Sequence, residues 1–145
     1  MKFKKIGNKW IVRIDKGEEI VQTLKQFCKE NKIKLGTISG IGATDRVTIG
    51  LFNAKHKQYH SKELIGDYEI ISLSGNISTM NEEIYLHLHI SLSDSKYNAY
   101  GGHLNSAVIS GTGEIVIEEI GGKIEREFNE EVGLNLLFQE KNKTN

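Results

Sequence analysis

From Ile84 to Ser93 the chain alternates without a break, with Ile84, Leu86, Leu88, Ile90 and Leu92 at one parity and Tyr85, His87, His89, Ser91 and Ser93 at the other. Successive side chains of a strand point to opposite faces, so this period of two fits a strand and no helix. The apolar parity belongs to a core. The other parity is left to water, a neighbouring subunit or a ligand. A segment of this kind commits the chain to a sheet with one buried face and one open face.

Two histidines stand side by side on that open face. Their Cα atoms are about 6.5–7 Å apart, and two imidazoles leaning together can both reach a metal at about 2.0–2.1 Å. A third, His103, follows in Gly101-Gly102-His103-Leu104, where a returning strand can bring it opposite the pair. Three imidazoles make an open metal site, so His87, His89 and His103 are the expected ligands. The competing reading of the same face is a polar strand surface or a subunit contact in which the histidines make ordinary hydrogen bonds. Asp94 begins the loop after the strand and reads as a turn residue, although a carboxylate there could also orient an imidazole.

The remaining histidines do not add to this. His56 and His60 have the i, i+4 spacing of helical metal ligands, but the segment 53–62 lacks a helical apolar face and reads as loop and edge strand. Gly40-Ile41-Gly42 follows a strand-like stretch. It lacks the third glycine and the helix that a dinucleotide loop requires.

The rest of the pattern is mostly β. Strands are expected at 10–14, 35–39, 43–52, 68–73, 84–92, 104–109 and 114–120, with turns at Gly40-Ile41-Gly42, Gly66-Asp67, Ser74-Gly75-Asn76, Asn81-Glu82 and Ser110-Gly111. One helix is expected from Glu18 to about Asn31. Ile20, Val21, Leu24, Phe27 and Cys28 fall at helical spacing, Glu18 and Glu19 suit its amino-terminal end, and Lys29 and Lys32 suit the other. A last strand is expected within Gly133–Phe138, with the tail from about Glu140 frayed. The fold class is therefore α+β, with a largely antiparallel, barrel-like sheet and one principal helix near the amino terminus.

At 145 residues, 38% hydrophobic and 26% charged, the chain is expected to be a single domain, 1–145, with an adequate core and no membrane span. The first residues are basic but lack the apolar stretch of a signal peptide, so the expected location is cytoplasmic. Without a secretory signal the glycosylation patterns Asn76-Ile77-Ser78 and Asn142-Lys143-Thr144 carry no weight. The lone Cys28 excludes an internal disulfide and is expected in the core. Lysine plus arginine and aspartate plus glutamate both number 19, so there is no basic excess of the kind that phosphate-gripping proteins show. Only Lys2, Lys4, Lys5 and Lys9 form a local basic cluster, which reads as a solvated end.

Taken in order, Ser39-Gly40-Ile41-Gly42-Ala43, the stretch from Gly66 to Asn76, His87-Leu88-His89-Ile90-Ser91-Leu92-Ser93-Asp94, Gly101-Gly102-His103-Leu104 and Glu114-Ile115-Val116-Ile117 resemble the PPC domain (plants and prokaryotes conserved), in its prokaryotic single-domain form. The resemblance implies a homotrimer with an antiparallel sheet, usually described as DNA-binding, and a fold similar to acetolactate decarboxylase. It also implies a divalent metal on His87, His89 and His103, zinc first, with iron or nickel also suited to imidazole. The plant members' AT-hook, Arg-Gly-Arg-Pro, has no counterpart in a chain without proline. Three functions follow as expectations. The first is a metal-binding trimer with a small-molecule or enzymatic role. The second is a trimeric DNA-binding or regulatory protein without an AT-hook, and the third is a scaffold or protein-interaction module. A decarboxylase-like site would further need a carboxylate and a cation near the metal, for which Glu69 and Arg46 are the available residues.

Overall fold

The computed structural model describes residues 1–138. Eight strands and one helix follow in the order β1 (Lys2–Ile6), β2 (Lys9–Ile14), α1 (Ile20–Glu30), β3 (Gly36–Asn53), β4 (Gln58–Met80), β5 (Glu83–Ser93), β6 (Ala99–Glu119), β7 (Arg126–Asn129) and β8 (Leu134–Leu137). Six strands form one antiparallel sheet in the order β1-β2-β6-β3-β4-β5, and β7 and β8 form a separate ribbon. The long β6 pairs with β5 through its first residues and with β3 through the rest. The α+β, mostly antiparallel expectation is met, and β5 pairs with both β4 and β6. No helix among the described residues is long and apolar enough to cross a membrane.

Four of the expected turns lie inside strands. Gly40-Ile41-Gly42 sits within β3, Gly66-Asp67 and Ser74-Gly75-Asn76 within β4, and Ser110-Gly111 within β6. Glycine in a strand marks a bulge or a close backbone approach as often as a turn, and both occur here. Pairing slips between Gly40 and Gly42. At Gly75 an added methyl group would overlap the carbonyl oxygen of His87 on β5. Asn81-Glu82 does turn the chain, joining β4 to β5 with positive φ at both residues (52° and 65°), as a two-residue hairpin loop requires.

The helix lies within the expected span. Ile20, Leu24, Phe27 and Cys28 are buried, one face of a 3.6-residue period. They pack with Trp10, Val12 and Ile14 of β2, Leu88, Ile90 and Leu92 of β5, and Ile109, Ile115 and Ile117 of β6. Strand β1, taken from the sequence as a solvated end, is instead an edge strand on β2. Phe3 covers Phe27 edge-on at 5.0 Å. The expected last strand is β8; the tail from Glu140 and the Asn142 pattern lie outside the described residues.

Glu19 ties the helix to the sheet. Its carboxylate accepts from the backbone N–H groups of Val21 and Gln22 at the start of α1 and from that of Ala107 in the middle of β6, at 3.0, 2.7 and 2.8 Å. Ala107 is fully buried, so its N–H loses its acceptor when this carboxylate is removed. Glu19→Ala is therefore expected to cost more than an ordinary cap, about 2 kcal/mol or more, read as a lower urea midpoint with unchanged slope.

Candidate metal centre

The register of three strands assembles the histidines. His87 and His89 lie on β5 opposite Asn76 and Ser74 of β4. His103 lies at the point where β6 changes partner, opposite His89 on one side and Gly50 of β3 on the other. This crossing needs the preceding glycine. A Cβ at Gly102 would stand 2.7 Å from the Gly50 carbonyl oxygen, closer than real side chains approach.

One ring nitrogen from each of His87, His89 and His103 lies within 4.8 Å of the others, and the ring centroids are 5.2, 5.3 and 5.6 Å apart. Three nitrogens at about 2.0–2.1 Å from one tetrahedral ion stand roughly 3.4 Å from each other, so small χ rotations close the cluster. His87 and His103 are partly buried and His89 is exposed, which leaves one side of the group open. Tyr59 stands edge-on to His103 at 6.1 Å, its hydroxyl donating to Asn105.

The two partly buried rings, His87 and His103, are held neutral. Burial first, then the charges of Arg126, His103 and His89, push the His87 pKa down to about 4; burial and His89 lower that of His103. Neutral imidazole is the form that binds a metal, so this donor set fits one. In the metal-free protein the unfolded chain binds more protons at His87 than the folded chain between its ordinary pKa of 6.5 and about 4. Stability from this group is therefore complete above that window and falls as pH drops through it. The His87 ring protons are expected to titrate near pH 4 by NMR in the metal-free protein. A midpoint near 6.5 would mean a solvated ring.

Other residues singled out from the sequence lie elsewhere. Asp94 is a turn residue: its carboxylate accepts from the backbone of Lys96 and Asn98, the Asn98 side chain and the Tyr100 hydroxyl. The Asn98 side chain contributes most to bringing its pKa to about 2. Glu69 pairs with Ser93 and Arg46 with Val108, which at about 3.3 Å per residue sets their backbones roughly 13–17 Å along the strands from His89 and His103. His56 and His60 are exposed, in the β3–β4 turn and on β4.

The cation at the cluster is Arg126 of β7, which sequence reasoning missed. It is only 6% exposed. Its guanidinium donates to Ser78 Oγ, the Asn135 carbonyl and Asn76 Oδ1, each at 2.8 Å, and lies 4.8 Å from the Tyr85 ring centroid. Asn76, in a segment whose pattern predicts a turn, lies in β4 opposite His87. Nothing in the spacing of the segment around Arg126 links it to a histidine 39 positions earlier.

These features define an antiparallel sheet that gathers three imidazoles on one face, a group able to hold a metal ion, with a buried arginine brought beside them by the β7–β8 ribbon. The chain belongs to the Plants and Prokaryotes Conserved (PCC) domain family, which it matches over residues 1–121. A crystal structure from Bacteroides thetaiotaomicron, of a protein given a provisional DNA-binding label, is 48% identical with a TM-score of 0.92, covering 94% of this chain and 96% of that one. A metal-containing protein from Archaeoglobus fulgidus is 35% identical (TM-score 0.84; 96% and 100% covered). A plant- and prokaryote-conserved (PPC) protein from Pyrococcus horikoshii is 36% identical (0.85; 97% and 96%). The likeness to Bacillus subtilis acetolactate decarboxylase, 15% identical with a TM-score of 0.54 over 80% of this chain and 54% of that one, is one of fold alone. Among curated proteins, the bifunctional protein GlmU of a Synechococcus strain is 26% identical over 110 residues, 74% of this chain; the chain spans 16% of GlmU's length.

Proposed function

We propose that this protein binds one divalent metal per chain through His87, His89 and His103, with the remaining coordination positions open to water or a small-molecule ligand. The convergence of three ring nitrogens within 4.8 Å carries this reading. The Archaeoglobus relative, described as metal-containing, supports it. Zinc is the first choice, with iron or nickel also suited to an imidazole set. A bound ion would supply Lewis acidity at the open positions. The test is elemental analysis of the purified protein: about one equivalent of metal is expected, and a content unchanged on replacing all three histidines with alanine would sink the reading.

We infer separately that the protein works as a homotrimer in the cytoplasm. Ile11 (45% exposed), Ile41 (55%) and Ile71 (54%) stand together on the outer face of β2, β3 and β4 beside Val116 of β6. An apolar patch of this kind is what a subunit contact covers. Sedimentation should give three chains per particle, and monomers would contradict it.

DNA binding is the second reading, favoured by the provisional label on the Bacteroides relative. It draws little from the charge distribution. Of the amino-terminal lysines, Lys5 is 2.9 Å from Glu119 and Lys9 is 3.9 Å from Glu118. Duplex DNA binding measured at two salt concentrations decides it, since a phosphate-contact mechanism weakens steeply with salt.

A further inference from the structure

Arg126 lies outside residues 1–121, the stretch that matches the family, yet it is drawn back onto the histidine face by the β7–β8 ribbon. Its Asn76 partner is opposite His87, and the Tyr85 ring beneath it is two residues before His87 on the same parity. The guanidinium thus lies one side-chain row from the cluster, about 7 Å along the strand. Its charge is felt at His87.

The groups that accept from this guanidinium among the described residues, Ser78 Oγ, the Asn135 carbonyl and Asn76 Oδ1, are all neutral. Buried charges are ordinarily paired. A guanidinium offers five N–H donors, and this one spends three on the protein. A divalent ion on the three imidazoles would add two further positive charges beside it. The two cations together favour a counter-charge, and the open side of the site is where one can enter.

We propose that Arg126 makes the open metal position selective for small carboxylate anions, the carboxylate occupying the metal and facing the guanidinium. This rests on the three-histidine metal reading and names its ligand class. Carboxylate and guanidinium match in shape and charge. A neutral ligand at the same position gains nothing from the arginine.

The test uses the cobalt(II)-loaded protein, whose visible absorption reports its ligands, titrated at fixed ionic strength with acetate and, separately, with neutral imidazole. Arg126→Gln is expected to weaken acetate about tenfold or more, with imidazole affinity unchanged, and Arg126→Lys to restore part of the acetate affinity. Equal acetate affinity in wild type and Arg126→Gln overturns the proposal. So does a parallel loss of acetate and imidazole in both variants, which would make Arg126 a pin holding β7 to β4 and nothing more. If the wild type takes up no cobalt, the metal reading fails and takes this one with it; a cobalt spectrum that acetate does not alter removes the anion selectivity alone.

Discussion

His103→Ala is expected to abolish tight metal binding while leaving the fold intact. His103 is the one ligand that β5 cannot supply, because it comes from β6 at the point where that strand leaves β5 for β3. Without it two imidazoles from a single strand remain. Loss of a group that merely supports a ligand costs about 10- to 100-fold in affinity, so loss of a ligand should exceed 100-fold. Leu104, its neighbour in sequence, faces the core at 3% exposure, whereas His103 is only partly buried on the opposite side. The substitution therefore removes a donor without opening a cavity. Zinc titration by calorimetry with circular dichroism as the fold control checks it. Because a ligand held only by the folded state stabilises it by about 4 kcal/mol at 1,000 times its Kd, added zinc should raise the wild-type melting temperature and leave that of His103→Ala unmoved.

Phe27→Ala is expected to cause the largest loss of stability from a single side chain. Phe27 is fully buried on α1, edge-on to Trp10 at 5.3 Å and to Phe3 at 5.0 Å. It joins the helix, β2 and the edge strand β1 in one contact. Truncating a buried phenylalanine costs about 3–5 kcal/mol through lost transfer energy and the cavity left behind. A domain with about 5–15 kcal/mol in total then keeps a fraction of its margin. Urea unfolding measures it, and a change below about 1 kcal/mol would mean that the helix packs more loosely than described. Metal affinity should be unaffected, since the substitution lies on the core face of the sheet and the histidines on the other.

Where the pattern is local, the sequence was readable. The alternation from Ile84 to Ser93 appears as β5, its apolar members against the core and its histidines on the open face. The spacing of Ile20, Leu24, Phe27 and Cys28 appears as the buried face of α1. What escaped was glycine's double meaning. The sequence pattern places turns at Gly40, Gly66, Gly75 and Gly111, but Gly40, Gly66 and Gly111 sit where strand register slips, and Gly40 and Gly75 where neighbouring strands pack too closely for a side chain. Such a role depends on the neighbouring strand, which a one-dimensional pattern does not contain. The same limit hid Arg126. Its partners Asn76, Ser78 and Tyr85 lie 41 to 50 positions away, and only the return of the β7–β8 ribbon brings them together. The strand β1 was obscured by the three lysines within it, although Phe3 and Ile6 share the segment and Phe3 reaches the aromatic cluster.

Whether the three histidines on one sheet face hold a metal is decided by anomalous diffraction from crystals of the purified protein, recorded on both sides of the metal's absorption edge. One peak per chain is expected, about 2.0–2.1 Å from a ring nitrogen of each of His87, His89 and His103. Crystals grown with zinc that show no peak there, or a peak held by other residues, would contradict it.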